Sequence, residues 1–145
     1  MALRPAFFMA ASLLMLATCA PQGNRAGQTT PQGESMQHMI VSIETVRNYV
    51  RNTTGQREAE AATADLVTWA GKLGELFPPA TASKLYVDMT PEMAREAPGT
   101  MIASANALRS AVATGRPAIV AMQLERTEKD GCGFCHRRPY RMPTP

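Results

Sequence analysis

Histidine, cysteine and charge of one sign are all scarce in this chain. Its 145 residues include two histidines and three cysteines, and the formal net charge is only +3. Nucleic-acid-binding proteins concentrate positive charge on one surface. A small and dispersed charge does not form such a surface, so we predict no nucleic-acid partner.

Arrangements typical of catalysis are also missing. The sequence shows no nucleophile paired with a base, no glycine-rich phosphate loop and no paired carboxylates. We therefore do not predict an enzyme. Strand-like alternation of apolar and polar residues is absent as well, which argues against a β-sheet.

Long apolar runs are confined to the N-terminus. The short positive leader MALR precedes the apolar stretch PAFFMAASLLMLA, and the small residues ATCA follow. This is the layout of a secretory signal, and a run of about a dozen residues is too short to span a membrane. We predict that residues 1–19 are a signal peptide and that the protein is exported to the periplasm.

Cys19 leaves two alternatives for the mature N-terminus. LATC at 16–19 resembles the lipobox of bacterial lipoproteins, in which the cysteine becomes the lipidated first residue. Cleavage after Ala20 would instead remove Cys19. Residues 20–34 are rich in Gly, Pro, Gln and Thr, and they predict a flexible tether. A lipid on Cys19 is the only membrane attachment that the sequence indicates.

From Ser35 onward, apolar residues recur every three or four positions, as in amphipathic helices. The first predicted helix spans 35–50, with Ser35 as its cap, and the second ends at Leu76. The third spans 100–114, and the fourth begins at Pro117. Residues 80–99 are predicted to be looser, with a short turn of helix at Thr90-Pro91, and Trp69 is predicted to lie in the core. The pattern predicts an all-α protein, a four-helix bundle over residues 35–145.

Two of the three cysteines lie one helical turn apart and are followed by a histidine. Cys132, Cys135 and His136 form the motif C-x-x-C-H, which is used to attach c-type haem. Covalent attachment needs two thiols at two vinyl groups on one edge of the porphyrin, and an imidazole that reaches the iron from one face. On a helix this spacing allows both. We predict one haem c, bound by Cys132 and Cys135, with His136 as the proximal iron ligand.

A C-x-x-C-H sequence has other possible uses. A thiol-redox or disulfide pair is one alternative, but no thioredoxin-like βαβ pattern surrounds it. A zinc site would need a fourth ligand, and His38 is the only other histidine. The rival from a different class is therefore a tethered helical lipoprotein whose C-x-x-C is a redox or metal-binding pair. Arg137, Arg138 and Arg141 are interpreted as a solvated tail.

A haem-binding C-x-x-C-H at the C-terminal end of the last helix of a four-helix bundle resembles the class II cytochromes c, the cytochrome c-prime family. LFPPAT at 76–81 is similar to the Phe-Pro loop of that family, and TPEMA at 90–94 to its Pro-Glu segment, with Ala94 where tryptophan is usual. The Tyr-Arg pair of the family falls one position later here, at Tyr140 and Arg141. The resemblance implies one-electron transfer to and from redox partner proteins, and relatives often form homodimers.

The resemblance also implies that the first helix supplies the residue on the far side of the iron. Low-spin members use a methionine, which suits electron transfer. High-spin members leave the iron five-coordinate and bind nitric oxide or carbon monoxide, which is the alternative function. Met39 is the first candidate for a distal ligand and Met36 the second, and core packing is the other interpretation of both. We predict that His38 is a surface residue and that Met89, Met93, Met101 and Met122 lie in the core or in loops.

Overall fold

Helices make up 84% of the part of the chain that the computed structural model describes, residues 30–137, and no β-strand occurs there. The elements are α1 (Pro31–Val50), α2 (Gln56–Leu76), α3 (Pro79–Leu85), α4 (Pro91–Ala113), α5 (Pro117–Arg126), a π-helical segment (Thr127–Cys132) and α6 (Gly133–His136). The prediction of an all-α protein is confirmed.

The first helix begins earlier than predicted. The Thr30 hydroxyl accepts a hydrogen bond from the Gly33 amide at 3.1 Å, and Pro31 occupies the first turn. A capping threonine followed by proline is a strong start signal because it satisfies amides that the helix leaves unpaired. Ser35, predicted as the cap, is instead fully buried inside α1, and residues 31–34 belong to the helix rather than to the tether.

The end of α2 is at Leu76, as predicted from the two prolines that follow Phe77. Proline lacks the amide that would continue a helix. The Leu76 carbonyl accepts a hydrogen bond from the Gln32 side chain at 3.1 Å. The start of α1 is thereby joined to the end of α2.

The third long helix, α4, differs most from the prediction. It begins at Pro91, not near residue 100, and continues through Pro98. The Thr90 hydroxyl caps it by accepting from the Met93 amide at 3.3 Å. The Glu92 amide and the Thr90 hydroxyl hold the pKa of the Glu92 carboxyl below its usual range. The start signal is strong enough to extend the helix past a proline that removes one internal hydrogen bond.

Each of the four long helical segments packs against two of the others. α1 contacts α2, α2 contacts α4, α4 contacts α5 and the π-helical segment, and α5 contacts α1. Their shared core includes five side chains with no exposed surface: Val46, Leu66, Leu108, Val112 and Val120. Full burial of such a side chain contributes about 1.5–3 kcal/mol to folding. In α5, Val120 is buried in this core and its neighbour Ala121 is only half-buried.

Several predictions fall outside residues 30–137. These are the signal peptide, Cys19 and its lipid, the tether up to residue 29, and the role of Arg138, Tyr140 and Arg141. Within residues 30–137, no helix combines the length and apolarity needed to cross a membrane.

We expect Thr90→Ala to lower the free energy of unfolding by about 1 kcal/mol, because the Met93 amide loses its capping partner. Thr68→Ala is the control: the Thr68 hydroxyl is exposed and donates only to the Ala64 carbonyl of its own helix. That change should be neutral or slightly stabilising. Urea denaturation measures both, and equal stabilities for the two variants would contradict the assigned cap.

Candidate functional site

A cavity of about 420 Å³ lies between α1, α3, α4 and the end of the described chain, and most of its wall is apolar. Its size is in the range of small-molecule and cofactor sites. The apolar part of the wall is Met36, Met39, Ile40, Ile43, Leu73, Phe77, Ala82, Ala94, Ala97, Pro98 and Met101.

The three residues of the C-x-x-C-H motif line this cavity together. Cys132 ends the π-helical segment, and Cys135 and His136 belong to α6. Both thiols are half-buried, and His136 is exposed at the end of α6. Cys132 packs against the main core, whereas Cys135 packs against a second, smaller cluster formed by Ala82, Met89 and Ala94. The motif therefore lies where the two apolar clusters meet.

α1 contributes another wall of the same cavity. Met39 and Ile43 are each 8% exposed there, Met36 is half-buried, and Ile40 is 56% exposed at the rim. Both methionines predicted as candidates for a distal ligand thus share one cavity with the motif. Met39 lies deeper in the protein than Met36.

The segment just before the motif is π-helical. A π-turn accommodates one extra residue in a helix and is often found at functional sites. The Thr127 hydroxyl is fully buried; it donates to the Gln123 carbonyl at 2.9 Å within its own helix and lies 3.3 Å from the Ser104 carbonyl of α4. These contacts fix the start of the π-helical segment against α4.

Gly131 allows the π-helical segment to approach α4 closely. A Cβ atom at this position would lie 3.0 Å from Met101 Sδ and 3.0 Å from Ser104 Cβ. A larger residue would therefore push the segment away from α4. Cys132 follows Gly131 directly in the chain. The close contact of Gly131 with α4 therefore affects how far the Cys132 thiol extends into the cavity.

One edge of the cavity is charged. Arg47 of α1 forms ion pairs with Glu44 of its own helix and with Glu128 of the π-helical segment, and all three side chains line the cavity. The hydrogen bonds to Glu44 and Glu128 hold the pKa of Arg47 above its usual value. The Arg47–Glu128 pair joins α1 to the π-helical segment that leads into the motif.

The Cys132 thiol is held in its protonated form. Burial raises its pKa, and the nearby Glu128 carboxylate adds to the effect. Reactive redox cysteines have lowered pKa values, since the thiolate is the nucleophile. The surroundings of Cys132 therefore favour the thiol over the thiolate.

His38 and Trp69 lie away from the cavity, between α1 and α2. His38 Nδ1 is 3.2 Å from an Asp65 carboxylate oxygen, and its ring stacks on Trp69 with centroids 4.3 Å apart. The prediction that His38 is a surface residue agrees with its 44% exposed side chain. Trp69 is only half-buried, and the Lys72 ammonium lies 3.7 Å from its ring centroid. The predicted core position of Trp69 is therefore wrong in part: it packs on the edge of the core.

The other methionines divide between core and surface. Met89 and Met101 are buried and Met93 is half-buried, in line with the prediction. Met101 also lines the cavity. Met122 is 59% exposed on α5, so its predicted place in the core or in a loop is wrong.

Tyr86 and the Arg47–Glu128 pair were not predicted from sequence. Tyr86 follows α3 and lines the cavity beside His136. No periodic pattern indicates a residue outside a long helix. For Glu128 a signal does exist, because it precedes Cys132 by one helical turn. Its partner Arg47 comes from a distant part of the chain and has no such signal.

The donor set and the apolar lining of the cavity are of the kind that a haem c needs. Two thiols and an imidazole share the wall with thioethers, and the rest is mostly hydrocarbon, as a flat apolar ring requires. By contrast, residues 30–137 contain no group of three or more His, Cys, Asp or Glu side chains arranged to hold a metal ion directly. Cys132, Cys135 and His136 are the residues that would hold the haem.

Comparison of the chain with protein-family models, with curated proteins and with solved structures found no match.

We expect Gly131→Val to lower the free energy of unfolding by about 1–3 kcal/mol, as overpacking does, because the new side chain would meet Met101 and Ser104. Gly71→Ala is the matched control, since its new Cβ would have no atom within 4 Å. Alanine should stabilise α2 there by about 0.5–1 kcal/mol. Urea denaturation measures both, and a Gly131→Val protein as stable as the parent would contradict the close approach.

Proposed function

We propose that the protein is an exported class II c-type cytochrome that transfers single electrons through one covalently bound haem c. The observation that carries the proposal is that Cys132, Cys135 and His136 line the same apolar cavity as Met36 and Met39 of α1. The motif alone predicts attachment of a haem. A cavity of suitable size and apolarity beside the motif provides a place for the ring.

The fold assigned to this cytochrome is a four-helix bundle. Its helices are α1, α2, α4, and α5 together with the segment that continues it, because these four contact one another in a closed cycle. α3 is a short addition between the second and third helices. The motif then lies at the C-terminal end of the last helix, as in the cytochrome c-prime family.

Each residue at the site has a definite role in the proposal. Cys132 and Cys135 form the two thioether bonds, and His136 Nε2 is the proximal ligand. Met39, buried in the wall formed by α1, is the first candidate for the distal ligand, and Met36 the second. The haem supplies one-electron chemistry by cycling between ferric and ferrous iron.

The protein around the haem would rearrange little when the charge of the iron changes. The wall is mostly apolar, and the side chains of its charged edge, Glu44, Arg47 and Glu128, are paired with one another. An environment that reorganises little when charge changes favours fast electron exchange with redox partner proteins. The predicted signal peptide supports a periplasmic location, and a lipid on Cys19 would hold the protein at a membrane.

A five-coordinate haem that binds nitric oxide or carbon monoxide is the second candidate function. It is favoured if neither methionine binds iron, because Ile40 and Ile43 of α1 also line the cavity and would leave an apolar space for a diatomic gas. The rival lipoprotein with a redox C-x-x-C is less consistent with the site. The raised pKa of the Cys132 thiol is opposite to what thiol-redox chemistry needs.

The visible spectrum of protein produced alongside haem-attachment machinery tests the proposal. We expect a covalent haem and a reduced low-spin spectrum that carbon monoxide does not change, since a methionine would fill the sixth position. A high-spin spectrum that shifts with the gas would instead support the gas-binding function. A colourless protein would exclude both and leave the redox or metal-binding lipoprotein.

Replacing Met39 by alanine tests the distal ligand. We expect ferrous Met39→Ala to become high-spin and its reduction potential to fall, because a thioether ligand favours reduced iron. Loss of a buried methionine also costs about 2–5 kcal/mol of stability, but packing alone does not change the spin state. Met36→Ala is the matched control. An unchanged spin state and potential in Met39→Ala would exclude it as the ligand, and a change confined to Met36→Ala would assign Met36 instead.

A further inference from the structure

Tyr86 makes an edge-to-face contact with the imidazole of His136. The two ring centroids are 6.2 Å apart and the ring planes are inclined by 86°. Aromatic rings favour this geometry because the positive edge of one ring meets the negative face of the other. Both side chains line the cavity, so the contact lies within the proposed haem site.

The Tyr86 ring is itself held in place by packing. Its backbone is extended, with φ −117° and ψ 140°, directly after α3. The side chain is half-buried against the small cluster of Ala82, Met89 and Ala94, which joins α3 to the start of α4. Cys135 packs against the same cluster. This packing limits how far the Tyr86 ring can move relative to the His136 imidazole.

α6 is only four residues long. His136 is the last residue of this short helix, and it is exposed. The next residue, Arg137, directs its guanidinium to the backbone, where it donates to the carbonyls of Gly133 and Lys129. The Tyr86 ring therefore contacts a histidine side chain that lies at the end of its helix.

We propose that Tyr86 is a positioning residue that sets the rotational orientation of the His136 imidazole about its Cβ–Cγ bond. This inference rests on the proposed function, in which His136 is the proximal ligand. Groups around a metal ligand orient it and tune the metal that it binds. The orientation of the imidazole plane determines how its orbitals overlap with those of the iron.

The test uses haem-loaded protein and four variants. Tyr86→Phe keeps the ring, whereas Tyr86→Leu and Tyr86→Met remove it in two different shapes, so that one folded ring-less variant is enough. Phe77→Leu is the matched control, because Phe77 is another aromatic residue of the same cavity wall and the same cluster. Haem-methyl NMR shifts of the ferric protein report the imidazole orientation in six-coordinate iron. The iron–histidine stretching frequency of the ferrous protein reports it in five-coordinate iron.

We expect the ring-less variants to change these signals, with a second imidazole orientation that becomes roughly two- to tenfold more populated, as the strength of an aromatic pair implies. Tyr86→Phe should match the parent protein, and Phe77→Leu should not populate a second imidazole orientation. Unchanged signals in both ring-less variants, or an equal change in Phe77→Leu, would overturn the proposal. So would a Tyr86→Phe protein that behaves like Tyr86→Leu.

Failure of the proposed function gives a different result from failure of this inference. A pyridine haemochrome spectrum of the parent protein shows whether covalent haem is present. A parent protein without covalent haem overturns the proposed function, and the role of Tyr86 with it. A parent protein with covalent haem and unaltered ring-less variants overturns only the role of Tyr86.

Discussion

The close contact between α4 and the segment that carries the cysteines is the one on which the site depends. Gly131 lies so near Met101 and Ser104 that a side chain would not fit without displacement. The buried Thr127 hydroxyl adds a polar contact at the Ser104 carbonyl. The hydroxyl donates its one proton to the Gln123 carbonyl, so it is not left without a partner where it meets α4. The contact is therefore specific as well as tight.

The cavity exists because two apolar clusters meet without merging. The main core joins α1, α2, α4 and α5, and Cys132 packs against it. The small cluster joins α3 to the start of α4, and Cys135 packs against that one. Two cysteines one turn apart are thus held by different parts of the fold. The space between the clusters is bordered by Met39 on one side and by Tyr86 on the other.

Much of the fold was predictable from local pattern, and the errors have physical causes. The apolar seam of α1 and the end of α2 at Leu76 follow from periodicity and proline, which act within a few residues. α4 begins at Pro91, within the segment predicted to be looser, because a capped helix packed along its length tolerates an internal proline at Pro98. The start of α1 differs from the predicted cap at Ser35 because the Thr30 hydroxyl caps the helix earlier in the chain.

The sequence by itself determined which residues form the proposed haem-binding motif, since Cys132, Cys135 and His136 are neighbours along one short stretch of chain. Their spacing is a local property that no packing is needed to establish. Only the tertiary structure decided what faces them: Met39 rather than Met36 as the deeper residue, Arg47 at the charged edge and Tyr86 beside the imidazole. Such pairs come from distant segments, and their meeting depends on how whole helices pack. Helical periodicity defines the face of one helix but not the residue that lies opposite.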